Sequence, residues 1–244
     1  MITQKRICIW SGPRNISTAM MYSFAQRADT TVVDEPFYAH YLTTTDAKTY
    51  HPGAEDVLQE MNPIGNEVIE EITTKDYGTP IVFFKMIIHH IVDLDWTFLD
   101  KTTNVLLTRN PVDMLPSFAK VVPGLGLNDT GYDVHSKMLT YLQNIGQNPP
   151  VLESETVLKN PAVVLEKLCQ QIGISFDTAM LSWEPGARPE DGSWAKYWYA
   201  SVHKSSGFQR YQPKSEPFPE TLHWLLDICQ PYYDQVAPLA ISAE

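Results

Sequence analysis

Short apolar runs alternate along this chain with stretches in which apolar residues recur every three or four positions. The runs at 6–10, 31–34, 80–88, 104–108 and 150–154 predict strands. The periodic stretches near 16–27, 54–61, 64–72, 112–119, 131–146, 160–173 and 220–238 predict helices. Apolar strands separated by helices predict a parallel sheet covered on both faces. Residues 183–219, rich in Trp, Tyr, Gly, Pro and Ser, predict a long ordered loop. Loops of that length are often functional. With 244 residues, 43% of them hydrophobic, the chain can fill a full core and is expected to form one domain over residues 1–244.

Ligands of open parallel sheets bind beyond the carboxyl ends of the strands. Those positions are polar or ionisable here. The first run is followed by Ser11 to Thr18 and the second by Glu35. The third carries Lys85 and ends at His89 and His90, the fourth is followed by Arg109, and the fifth ends at Glu153 and Glu155. Packing alone does not require such a gathering at one edge.

Net charge changes the picture. A formal charge of −11 argues against a general nucleic-acid binder, and any local group of cations becomes informative against that background. No apolar run reaches the roughly 20 residues that span a bilayer, and the N-terminal run is too short for a secretory leader. Three widely spaced cysteines, Cys8, Cys169 and Cys229, suit reduced thiols of a cytoplasmic protein. No Cys/His spacing matches a zinc site.

Two segments concentrate the chemistry. In RICIWSGPRNISTAMMYSF (6–24) a strand leads through a cationic turn, Gly12, Pro13, Arg14 and Asn15, into a helix opened by Ser17 and Thr18. Free N–H groups and the dipole at such a helix start favour an anion. Arg14 adds a charged fork and the hydroxyls add donors. The loop lacks the second glycine and the lysine of G-x-x-x-x-G-K-[ST]. In NVLLTRNPVDMLPSFA (104–119) a strand delivers Arg109, Asn110 can cap a helix that begins with Pro111, and Ser117 follows two turns on. Arg109 and Ser117 can meet one phosphate from two elements.

The pair, in this order, resembles the sulfotransferases that use 3′-phosphoadenosine 5′-phosphosulfate (PAPS). SGPRNIST is similar to their 5′-phosphosulfate loop and RNPVDMLPS to their 3′-phosphate motif. VLESETVLKNPAVVLEKL resembles their later strand–helix unit, and HKSSGFQRY (203–211) the C-terminal loop that closes over the nucleotide. The chain is closest in kind to a small bacterial branch of that family. The resemblance implies a three-layer αβα sandwich around a parallel sheet of about five strands, like that of P-loop NTPases. It also implies sulfuryl transfer from PAPS to a hydroxyl or amine, with PAP as product and no metal required. Arg14 stands where many members have Lys, Pro116 removes a donor inside a helix, and the family's catalytic histidine does not carry over by spacing.

On that resemblance Gly12, Pro13, Arg14, Asn15, Ser17 and Thr18 hold the 5′-phosphosulfate, Arg109 and Ser117 the 3′-phosphate, and Lys204, Ser205, Gly207 and Arg210 close over the nucleotide. Lys85, inside an apolar strand, needs an anionic partner, either the sulfuryl group or a buried carboxylate. Glu35 is favoured as the base by the resemblance, His89 and His90 are rivals by their ordinary pKa, and Asp34 can serve as a structural acceptor. Tyr38, His40, Tyr41, Trp194, Trp198 and Tyr199 are candidate walls for the acceptor, a small alcohol, phenol, sugar or amine. A P-loop kinase or NTPase, and a non-catalytic PAP-binding module, are the competing readings. Neither nucleic acid nor membrane is an expected partner, and the pattern specifies no oligomeric state.

Overall fold

A computed structural model of the chain describes residues 4–122 and 124–244. Five parallel strands form one sheet in the order β2-β3-β1-β4-β5. They are β1 (Lys5–Ser11), β2 (Thr30–Asp34), β3 (Ile81–Ile87), β4 (Thr103–Thr108) and β5 (Val151–Glu153). Each predicted strand is present, within two residues at either end. The helices are α1 (Ser17–Phe24), α2 (Tyr38–Thr44), α3 (Ala54–Glu60), α4 (Gly65–Thr74), α5 (Pro111–Ala119), α6 (Leu127–Thr130), α7 (Tyr132–Asn144), α8 (Ser154–Lys159), α9 (Pro161–Gln171), α10 (Ala195–Trp198) and α11 (His223–Val236).

The alternation of side chains along β1 explains the layers. Ile7 and Ile9 face a core shared with Met20, Met21 and Phe24 of α1 and Leu165 and Leu168 of α9. Cys8 and Trp10 face the opposite core, with Val68 and Ile72 of α4 and Leu139 and Leu142 of α7. Both faces of β1 are therefore covered, and its residues 7–11 are fully buried. The result is an α/β fold of three layers. Two smaller clusters complete it, one between α2, α3 and α10 and one between α5 and α11. All three cysteines are buried free thiols.

β3 lies between β1 and β2, with Asp34 opposite Lys85 in register. β5 stops at Glu153 because that side chain accepts the Thr156 N–H at 3.0 Å and caps α8. The stretch 183–219 is mostly irregular, as expected, but contains α10 and is tied to Ser182 by a bridge at Gly207.

Candidate active site

The C-terminal ends of β1, β2 and β3, with Phe118 of α5, surround a cleft. Its floor is the turn after β1. Gly12 is required there by close approach, since a Cβ would meet the Thr130 carbonyl oxygen at 2.8 Å. Asn15 fixes the turn by donating to the Leu107 carbonyl at 3.0 Å and accepting the Ile16 N–H at 2.8 Å. Helix α1 then starts with no side-chain cap and no acidic residue in its first turn. Its amide donors are left for another acceptor. Ser17 and Thr18 are buried at the cleft, and among the described residues neither hydroxyl is hydrogen-bonded.

Arg14 adopts a left-handed backbone, φ 53°. Its Nε donates to Ser117 Oγ at 3.3 Å, and its carbonyl accepts from Arg109 Nη1 at 2.5 Å. Arg109 in turn is held by Tyr132, whose hydroxyl donates to the Arg109 carbonyl at 2.7 Å. Asn110 caps α5 through the Val112 N–H at 2.9 Å, which places Ser117 and Phe118 over the turn. Burial, and then the Arg109 charge, lower the Arg14 guanidinium from its ordinary pKa. Two cations that repel each other, an uncapped helix start and two free hydroxyls make a donor set suited to a ligand with two anionic groups.

The opposite wall is acidic. Lys85 Nζ, almost wholly buried, donates to Asp34 Oδ1 at 2.9 Å, to Glu35 Oε1, and to the Tyr199 hydroxyl at 2.5 Å. Tyr199 also donates to Asp34 Oδ2 at 2.7 Å, and Trp194 Nε1 donates to Tyr199 at 3.2 Å. Of the two carboxylates only Glu35 faces the cleft. Burial raises its pKa above the ordinary carboxylate range; Lys85 opposes that shift and the Asp34 charge adds to it. Burial works against the Lys85 ammonium, but the two carboxylates together raise its pKa. With both carboxylates ionised the group carries one net negative charge in a dry place, so a proton arriving on Glu35 neutralises it.

Residues 5–239 match the family model described as a sulfotransferase domain. The chain belongs to the sulfotransferase domain family. Solved structures agree on the fold. The sulfotransferase domain from the curacin biosynthetic pathway superposes with a TM-score of 0.52 at 16% identity, over 96% of this chain and 98% of that one. A sulfotransferase from Alicyclobacillus acidocaldarius gives 0.55 at 12% identity, over 97% of this chain and 95% of its own. Two Arabidopsis thaliana relatives, branched-chain-amino-acid aminotransferase-like proteins 2 and 1, are 34% and 35% identical over 229 residues. The chain spans 40% of the length of these curated relatives.

Within this sulfotransferase domain Pro13, Arg14, Asn15, Ser17, Thr18, Glu35, Lys85, His89 and His90 line one cleft. Gly12 and Arg109 line a small adjoining hollow with Pro13 and Asn15. His89 and His90 are buried and neutral near pH 7. Burial, then the other imidazoles, push His89 down to about 3 and His90 well below its ordinary value. His90 lies between Tyr38 and Tyr41, with ring centroids 4.9 and 4.5 Å away.

The C-terminal loop does not reach the cleft. Ser205 is buried, bonded to Trp183 and Val202, while Gly207 sits against Leu181. Lys204 and Arg210 are exposed. Of the expected acceptor walls, Tyr38, Trp198 and Tyr199 line the cleft. Trp194 stands behind Tyr199, Tyr41 behind His90, and His40 is bonded to the Val92 carbonyl at 2.8 Å. His51 and Phe118 line the cleft as well, and the sequence singled out neither. For His51 the available signal was its place shortly after Tyr38, His40 and Tyr41 in the sequence, next to Tyr50.

Proposed function

We propose that this protein transfers the sulfuryl group of PAPS to a hydroxyl or amine of a small acceptor and releases PAP. The observation that carries this reading is the joining of the two cationic anchors. Arg109 donates to the carbonyl of Arg14, which joins the segments after β1 and β4, with Arg14 in the cleft and Arg109 in the adjoining hollow. In the proposal Arg14, Ser17, Thr18 and the α1 amides hold the 5′-phosphosulfate, while Arg109 and Ser117 hold the 3′-phosphate.

The reaction is an in-line displacement at sulfur. The acceptor oxygen forms the new S–O bond, the bridging S–O bond breaks, and its electron pair stays on the phosphate of PAP. Arg14 stabilises charge growing on that leaving oxygen. Glu35 takes the acceptor proton, a role its raised pKa favours. Lys85 stays paired with Asp34 at 2.9 Å, so the ammonium is not stranded when Glu35 becomes neutral. Tyr38, His51, Phe118 and Trp198 supply an aromatic wall for the acceptor.

Thermal unfolding with PAP, ADP and ATP tests the reading. A ligand at 100 times its dissociation constant stabilises by about 2.7 kcal/mol. PAP is expected to stabilise more than ADP, and Arg109→Ala to abolish that difference while the unliganded fold persists. Equal stabilisation of the wild type by PAP and ADP, or tighter magnesium-dependent binding of ATP, would refute it.

A further inference from the structure

Beside the cleft lies a second, larger cavity. Among the described residues, the two spaces share one wall residue, His89. On its far side the cavity is lined by Tyr41, Tyr50, Asp46, Asp129 and Asp133 and, among the described residues, by no lysine or arginine. Asp129 accepts from the Tyr50 hydroxyl at 3.0 Å and from the Gly126 N–H at 2.8 Å. Asp133 pairs with Lys137 through Oδ2 at 2.7 Å, while its buried Oδ1 has no partner among the described residues. Asp46 is exposed and its carboxylate has no partner among the described residues.

His89 supplies the independent pointer to a ligand. It is 6% exposed, its Nδ1 is buried without a partner, and no hydrogen bond to either ring nitrogen is made among the described residues. Buried polar groups in folded proteins are otherwise nearly all satisfied. The ring is uncharged at neutral pH, so it presents no positive barrier between the spaces. The partition is a single row of rings, with His89 5.0 Å from His90 and 5.2 Å from Tyr41. In the cleft Arg14 stands on one wall, and Lys85 on the other is held by Asp34 and Glu35. The space beyond His89 combines three carboxylates and two tyrosines with apolar side chains such as Val92, Leu127 and Val134, surroundings that favour an organic cation.

We propose that this cavity is the distal part of the acceptor site and receives an amine or ammonium group carried by the acceptor itself. The inference rests on the sulfotransferase reading above and narrows its acceptor to a cationic alcohol. The molecule lies past His89, with its hydroxyl toward Glu35 and its cationic end among Asp46, Asp129 and Asp133.

Titration calorimetry on the full chain saturated with PAP tests it, using ω-amino alcohols of increasing length, the matched diols and the matched ω-hydroxy carboxylates. At the best length the amino alcohol is expected to bind about tenfold tighter than the diol, and the carboxylate weakest. Asp129→Asn is expected to remove most of that preference. That carboxylate also supports local structure, so Asp46→Lys on the exposed rim serves as the second variant. It is expected to weaken the amino alcohol severalfold and leave the diol and PAP unchanged. Equal binding of amino alcohol and diol by the wild type, or a preference untouched by Asp46→Lys, would overturn the proposal. Failure of PAP to bind at all would instead strike the parent reading.

Discussion

Replacing Lys85 by methionine keeps the length of the side chain and removes its charge. In the wild type the ammonium lies against two carboxylates, and side-chain exposure is 2% for Lys85, 2% for Asp34 and 9% for Glu35. Without it, two adjacent buried carboxylates face each other with only the Tyr199 hydroxyl between them. Breaking a buried pair by removing one partner costs about 3–5 kcal/mol. For a chain of this size that corresponds to roughly 6–20 °C in melting temperature. The loss is pH-dependent, and the sign follows from Glu35. Its folded pKa is raised, so its contribution to stability is most favourable at low pH and declines as pH rises through the folded value. Removing the opposing ammonium raises it further. The gap between Lys85→Met and wild type should therefore be wider at pH 8 than at pH 5, because acidification moves the orphaned carboxylate toward its neutral form. Urea unfolding at both pH values measures it, and Lys85→Met/Glu35→Gln should recover part of the loss. A Lys85→Met protein as stable as wild type at pH 8, or a gap that does not shrink on acidification, would show that the charge cluster is not what holds this edge together.

Three further outcomes follow from the same geometry. Glu35→Gln should leave stability within about 1 kcal/mol, because the Lys85–Asp34 pair at 2.9 Å remains neutral, and should lower sulfate transfer by about 10²–10⁴. Wild-type transfer should fall as pH drops through the raised Glu35 pKa, and that limb should vanish in the variant; a pH-rate profile decides. Arg14→Gly should melt higher than Arg14→Ala by about 1 kcal/mol, since only glycine occupies φ 53° without strain, while both lose PAP binding. His90→Phe should keep turnover of the same order in a single-turnover assay, because the ring's stacking between Tyr38 and Tyr41 is retained and the imidazole is uncharged at neutral pH. A loss like that of Glu35→Gln would identify His90 as the base instead.

The strands and most helices were legible because burial on both faces leaves a continuous apolar run, and a covered helix leaves a period of three to four. The residues after each strand could be placed at one edge for the same reason. Helix α2, YAHYLTT, escaped because five of its seven residues are buried in a small aromatic cluster, so no polar face marks a period. Helix α8 escaped because Glu153 ends the strand and caps the helix at once, leaving no intervening turn residues. Local motifs pointed to Arg14, Arg109 and Ser117 as candidates, and hydrogen bonds join the three. The contact of Tyr199 with Lys85 was not readable from local motifs, since it joins residues 114 positions apart. Nor was the insertion of β3 between β1 and β2, which local patterning does not encode.

The backbone itself explains how two consecutive acids serve one lysine. Neighbouring side chains of a regular strand point to opposite faces. Asp34 and Glu35 are neighbours, yet both carboxylates contact Lys85 Nζ. The φ of 43° at Glu35 breaks the alternation and swings its side chain back toward the cleft. That conformation costs of order 1 kcal/mol or more for a residue with a Cβ. It is held from both sides, by the Glu35 N–H donating to the Lys85 carbonyl at 2.9 Å and the Tyr38 N–H donating to the Glu35 carbonyl at 2.9 Å. A turn needed only for chain reversal would be met by glycine at lower cost. Arg14, on the other wall, carries the same strain with the opposite charge. Strain at these two positions, one cationic and one acidic, fixes the polarity of the cleft before any ligand arrives, as the sulfuryl transfer proposed above would require.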